Sequence, residues 1–174
     1  MMKAAIILIF FALIATVSEG RGRSRIIPRP AQPLSSLKIN ETHLNERASS
    51  CSFTVSIRTS CSSVRYTRDR ISLSFGDAYG NQVYAPRLDE PGTRTFERCS
   101  TDTFQINGPC TYQICYLYLY RSGKDGWRPY DVTVSGYNTS PVTFYYDVVI
   151  PRDTWYGFNN CNSYAAAAKF AMKK

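Results

Sequence analysis

The side chains in this sequence that are able to do chemistry are few, and their spacing restricts them further. Six cysteines, Cys51, Cys61, Cys99, Cys110, Cys115 and Cys161, all lie beyond residue 50. Zinc sites usually show C-x2-C pairs or accompanying histidines. Here the tightest spacing is the C-x4-C of Cys110 and Cys115, with no partner pair, and the sole histidine is His43. An even cysteine count without metal-type spacing points to three disulfides. Cys51 opens the cysteine-bearing region and Cys161 ends it, so a bridge between them would fasten both ends. That pairing is one guess among the many connectivities six cysteines allow.

The same inventory argues against an enzyme. His43 sits in a polar, proline-containing stretch, so residues 51–161 hold no Ser–His or Cys–His nucleophile pair. Oxidised cysteines offer no thiolate. No carboxylate lies in an apolar segment that would obviously raise its pKa for acid–base work. The loop carboxylates suit a hard cation better. Asp69 precedes an apolar alternation, Asp77 and Asn81 share a glycine-containing turn, and Asp102 and Asp125 lie in other loops. Calcium takes oxygen ligands from such loops. Asp and Asn also belong in turns for local reasons, by bonding their own backbone. No cofactor is required by any of these residues.

Aromatic side chains are the other candidates for contact. Trp155, Tyr156 and Phe158 lie in an Asn/Gly-rich segment, where rings suit a lipid–water interface. Tyr79 and Tyr84 flank a turn, and Tyr116, Tyr118 and Tyr120 form a stripe that fits a sheet face at least as well as a ligand platform.

The elements that must position these residues follow from the rest of the chain. Lys3 precedes an unbroken apolar run of 14 residues, Ala4 to Val17. A spanning helix needs about 20. The run reads as the core of a secretory signal over residues 1–20, with cleavage after Ser18 or Gly20. No later segment is apolar enough to span a bilayer, so the mature chain is expected to be extracellular. Residues 21–50 contain three prolines and no aromatic residue, which reads as a flexible basic arm. Asn40 in that arm and Asn138 in a later turn are N-glycosylation acceptors. Residues 162–174 form a basic tail, in which the short helix that Asn162-Ser163 would cap over Ala165–Met172 is marginal at that length and reads as frayed.

Net charge is +8, yet it is unevenly spread. Residues 51–161 carry eleven basic and ten acidic groups, whereas residues 21–50 carry six and two, and residues 162–174 carry three lysines and no acid. A nucleic-acid-binding domain concentrates its charge on the folded face, so nucleic acid is not an expected partner. The basic tails suit acidic lipid or acidic wall polysaccharide.

From Cys51 onward the hydrophobic period is two. Phe53, Val55 and Ile57 alternate with polar residues, as do Ile71, Leu73 and Phe75, then Val132 and Val134, then Phe144, Tyr146, Val148 and Ile150. Such alternation marks half-buried strands. Tyr112–Arg121 is apolar on both faces and is expected to be central. Gly/Pro/Asn turns separate these runs. The reading is an all-β, eight-stranded antiparallel β-sandwich stabilised by disulfides.

Several blocks resemble a known family. They are Thr59-Ser60-Cys61, Asp69 through Asn81, Cys99 through Phe104, Gly108-Pro109-Cys110, Ile114 through Leu119, Gly123 through Trp127, and Pro151 through Cys161. Together they resemble the plant embryo-specific protein 3 family, a secreted, cysteine-containing branch of the PLAT (lipoxygenase homology) domains. The resemblance covers about residues 50–161. It implies a PLAT-like sandwich, a core role for Trp127, and docking to lipid, membrane or protein partners in seed development or stress responses. It also narrows the calcium candidates to Asp69, Asp77 and Asp102. The alternative is an extracellular structural protein that adheres to wall polymers through its basic tails.

Overall fold

The computed structural model describes residues 30–34, 37–38, 50–89, 92–137 and 139–162. The expected signal, both glycosylation acceptors, His43 and the marginal tail helix fall outside them. Among the described residues nine strands are present: β1 Gln32–Leu34, β2 Ser50–Thr59, β3 Arg70–Gly76, β4 Gln82–Ala85, β5 Thr101–Pro109, β6 Tyr116–Ser122, β7 Pro129–Gly136, β8 Thr139–Tyr145 and β9 Trp155–Asn159. They form a five-stranded sheet, ordered β1-β9-β6-β3-β4, and a four-stranded sheet, ordered β5-β2-β7-β8. All ladders between named strands are antiparallel.

The period-two pattern is what packs the two sheets. Phe53, Val55 and Ile57 of β2 and Val132 and Val134 of β7 are buried, and they meet Ile71, Leu73 and Phe75 of β3 and Leu117 and Leu119 of β6 in one core. Each large apolar side chain fully buried this way contributes about 1.5–3 kcal/mol. Trp127 is 1% exposed and donates its indole N–H to Thr59 Oγ1 at 3.1 Å, so the expected core role holds.

Strand β6 is central, flanked by β9 and β3, in agreement with its two apolar faces. It begins at Tyr116, however, not Tyr112. Backbone pairing reaches back to Cys115, which donates to Gly76 O and accepts from the Asn160 amide, both at 2.9 Å, whereas the Tyr112 amide is taken by Asp77 Oδ2. The ninth strand is the second departure. Gln32–Leu34, inside the stretch read as a flexible arm, pairs with β9 at the sheet edge. Pro33 sits at its middle, and an edge strand tolerates the missing N–H.

The disulfides are Cys51–Cys110, Cys61–Cys99 and Cys115–Cys161, with no free cysteine among the described residues. Three disulfides are therefore formed, but the Cys51–Cys161 pairing is wrong. Register decides it. Cys51 faces Gly108 across the β2–β5 ladder, which brings Cys110 beside it. Cys161 follows β9 in the other sheet, where the β6–β9 ladder brings it to Cys115.

Candidate docking end and the loop carboxylates

Each of the three calcium candidates accepts hydrogen bonds from the protein itself, Asp102 through Oδ2 alone. Asp69, 3% exposed, ion-pairs with Arg121. Its Oδ1 accepts the Asp125 amide at 3.0 Å and its Oδ2 the Gly126 amide at 3.0 Å. Burial by itself raises this carboxyl's pKa, but the two amides and the Arg121 guanidinium overcome that and hold it below the ordinary value. Asp77 accepts from the amides of Tyr79, Asn81 and Tyr112 at 2.8, 3.1 and 2.9 Å and from the Asn81 side chain at 2.7 Å. Asp102 accepts from the Phe96 amide and the Ser100 hydroxyl, both at 2.9 Å.

Asp69 and Asp77 also lie at opposite ends of β3, about 25 Å apart at ~3.3 Å per strand residue. Among the described residues no group of three or more His, Cys, Asp or Glu side chains is placed to hold a metal ion. Asp69, Asp77 and Asp102 do not share one cation site; each fastens a loop. Asp102 secures a loop in which Phe96, at a φ of 61°, drops a fully buried ring beside Trp127 with centroids 4.8 Å apart.

The aromatic candidates are also redistributed. Trp155, Tyr156 and Phe158 form part of strand β9 rather than a loop. Phe158 is 6% exposed and packs on Phe144 and Tyr146, with centroids 5.8 and 4.9 Å away. It is a core residue and cannot face a lipid surface, because strand alternation turns positions 156 and 158 inward together. Tyr156 packs against the core while Trp155 is half-buried on the outer face, its ring 5.3 Å from Tyr120 and 6.1 Å from Tyr84. The tyrosine stripe of β6 belongs to that same outer face, with Tyr118 itself buried.

What the tertiary structure gathers instead is one end of the sandwich. β3 ends at Gly76 opposite the start of β6, and β9 ends there too. In the other sheet β5 and β7 end beside the start of β2. The loops emerging at this end carry Tyr79, Tyr112 and Tyr137, which are 75%, 67% and 89% exposed. Tyr79 and Tyr112 touch, with centroids 4.9 Å apart, and the Asp77 carboxylate holds the amides of both. Gln113 reaches Ser140 O at 3.4 Å, linking this loop to β8. Among residues 77–81, 110–115 and 137 the sole charge is Asp77, which is buried. Ser50 and Cys161 lie at the same end, so the chain leaves it toward the lysine-bearing residues 162–174.

Of these three rings the sequence reading singled out only Tyr79. Tyr112 was absorbed into the following strand, although the C-x4-C around it was a signal for a constrained loop. Tyr137 carries no sequence signal beyond its turn.

Comparison with known proteins accords with this architecture. The coral 8R-lipoxygenase, whose structure was described in terms of calcium activation via a C2-like domain, superposes with a TM-score of 0.52 at 18% identity, over 62% of this chain and 17% of that one. A second LOX structure gives 0.55 at 16% identity, over 64% and 17%. The Clostridium perfringens alpha-toxin gives 0.52 at 16% identity, over 66% and 34%. At these identities the likeness shows the fold alone: a PLAT-like sandwich that is a minor part of each larger chain. Sequence relatives are nearer. Embryo-specific protein ATS3B of Arabidopsis thaliana is 54% identical over 158 residues, covering 89% of this chain and 82% of the relative. ATS3A of the same plant is 52% identical over 162 residues, covering 93% and 89%. The model of the family described as Embryo-specific protein 3 (ATS3) matches residues 38–161, a span that holds all six cysteines and the exposed tyrosine end, and the chain belongs to that family.

Proposed function

We propose that this chain is a secreted, non-catalytic docking module that engages a lipid or membrane surface through the end bearing Tyr79, Tyr112 and Tyr137. The observation that carries the reading is the exposure of three rings on loops whose described residues 77–81, 110–115 and 137 carry no exposed charge. Tyrosine suits the headgroup region because its ring is apolar and its hydroxyl polar. The lysines that follow Cys161 in sequence add attraction to anionic headgroups, which alone gives weak, salt-sensitive binding. A seed or stress setting follows from the family and is part of the same proposal.

The test is co-sedimentation with phosphatidylcholine vesicles, with and without phosphatidylserine and calcium. The triple variant Tyr79→Ala/Tyr112→Ala/Tyr137→Ala removes only exposed rings, and each such surface change alters stability by about 0.5 kcal/mol or less. Loss of sedimentation in the variant supports the reading. Unchanged sedimentation removes the tyrosine end as the docking surface. Sedimentation that survives there but is abolished by deleting residues 162–174 assigns adhesion to the basic tail.

A further inference from the structure

The outer face of the four-stranded sheet carries a second feature, which shares only Tyr137 with the tyrosine end. Where β5, β2 and β7 lie side by side, register aligns Gln105, Thr54 and Ser135 in one row across the sheet. The next row is Thr103, Ser56 and Thr133, continued by Thr143 of β8. Charge enters this face only one row further on, with the Arg58–Asp131 ion pair. The wet face of an antiparallel sheet ordinarily carries charged side chains among its polar ones. Here two consecutive rows are hydroxyl and amide alone, in a chain of which 20% is charged.

This neutral face is also concave and bracketed by rings. An open groove of about 590 Å³ runs over Thr54, Gln105 and Ser135 and is bounded by Tyr137. At the far end of the same strands a second groove, of about 350 Å³, is bounded by Tyr130 and Arg58. Arg58 lies over the Tyr130 ring, 4.5 Å from its centroid. Thr54 and Gln105 exchange hydrogen bonds at 3.2 and 2.9 Å, which fixes the amide while leaving its second N–H free for a ligand.

We infer that this face binds a neutral polysaccharide. Fixed hydroxyls and an amide match a ligand built of hydroxyl donors and acceptors. The exposed Tyr137 ring offers a face for the C–H surface of a sugar ring, whereas one face of Tyr130 is taken by Arg58. In the groove bounded by Tyr137 no lining residue is charged, so it offers neither a cation for an anionic polymer nor a carboxylate for a basic peptide; Arg58 and Asp147 enter only at the far groove. Two grooves in line along the strands suit an extended chain rather than a monosaccharide. The site shares Tyr137 with the membrane reading but not Tyr79 or Tyr112, so Gln105→Ala and the Tyr79→Ala/Tyr112→Ala variant tell the two apart.

The experiment is affinity electrophoresis of the enzymatically deglycosylated full chain, run toward the cathode. The gels contain hydroxyethylcellulose, galactomannan or polygalacturonate. Retardation by one of the neutral polymers is expected, with Gln105→Ala and Tyr137→Ala each weakening it about five-fold, the loss of one well-made contact. The Tyr79→Ala/Tyr112→Ala variant should be retarded like the parent, which separates this face from the membrane contact. Matching thermal transitions of parent and variants confirm that the fold is intact. No retardation by either neutral polymer overturns the inference, as does equal retardation of parent, Gln105→Ala and Tyr137→Ala. Retardation by polygalacturonate alone also overturns it and assigns polymer adhesion to the basic tails.

Discussion

At the scale of single residues, the buried charge of Asp69 is the sharpest test of how the loops are held. Its carboxylate is the shared acceptor for the 123–126 loop and the partner of Arg121, which is 6% exposed and also donates to Ile150 O at 2.8 Å. Asp69→Asn leaves that guanidinium without its counter-charge, and removing one partner of a buried pair costs about 3 kcal/mol or more. Urea denaturation at pH 7 measures it. Because the folded pKa is lowered, the stabilisation is complete above the unfolded value of about 3.9 and is lost as pH falls through the folded one. The gap between parent and variant should therefore close below about pH 4. A gap constant to strongly acid pH would mean the cost is packing, not charge.

Tyr146 gives the opposite sign. Its hydroxyl donates to Leu117 O at 3.2 Å in the core, and burial holds its pKa well above the ordinary 10. The neutral ring's contribution is complete below pH 10 and is lost as pH rises toward the folded value. Tyr146→Phe should cost about 1 kcal/mol at neutral pH, the worth of one hydrogen bond. It should also flatten the decline in stability above pH 10. Tyr116, pushed up to about 12 chiefly by burial, should ionise in the folded protein at that pH in an ultraviolet phenolate titration.

At the scale of elements, β9 depends on a position where no side chain fits. A Cβ at Gly157 would lie 2.0 Å from Leu117 O of β6, the neighbouring strand. Gly157→Ala must push β9 off the central strand, and with it β1, which pairs with nothing else. Overpacking a ladder in this way should cost about 3 kcal/mol. Hydrogen exchange should show protection lost first in β1 and β9. Protection lost uniformly would mean that the five-stranded sheet opens as one unit.

Strands β2, β3, β6 and β7 were legible because period-two alternation records a core face, whereas β4 and β9 were not: Gln82–Ala85 is too short to carry a period and Trp155–Asn159 reads as an Asn/Gly-rich loop. Strand limits were less legible. Tyr112 and Ile114 continue the alternation of β6, but the Tyr112 amide is taken by Asp77, which the pattern does not record. β1 was invisible because three residues with a proline at their centre carry no period at all. It exists only because β9 offers a free edge.

At the scale of the whole molecule, the disulfides staple each sheet separately: Cys51–Cys110 closes the β2–β5 edge and Cys115–Cys161 the β6–β9 end. Peptide mapping of unreduced protein should recover these pairs together with Cys61–Cys99. Recovery of Cys51 joined to Cys161 would contradict the register of both sheets. The double variant Cys115→Ala/Cys161→Ala, which reopens a span with a sequence separation of 46, should lose about 4 kcal/mol. Loss near zero would indicate that β9 is held by its ladder alone.

The core place of Trp127 was implied by the family resemblance, whereas an all-β sandwich with oxidised cysteines, and the lack of a nucleophile–histidine pair over residues 51–161, were readable from the amino-acid sequence alone. These last properties are local: residue type, parity and count suffice. Tertiary structure alone decided which cysteines meet, that Asp69, Asp77 and Asp102 fasten three separate loops, that Phe158 points inward, and that Tyr79, Tyr112 and Tyr137 share one end. Each depends on which strands lie side by side and in what register. Strand order in a sandwich joins segments far apart in the chain, so no local pattern encodes it.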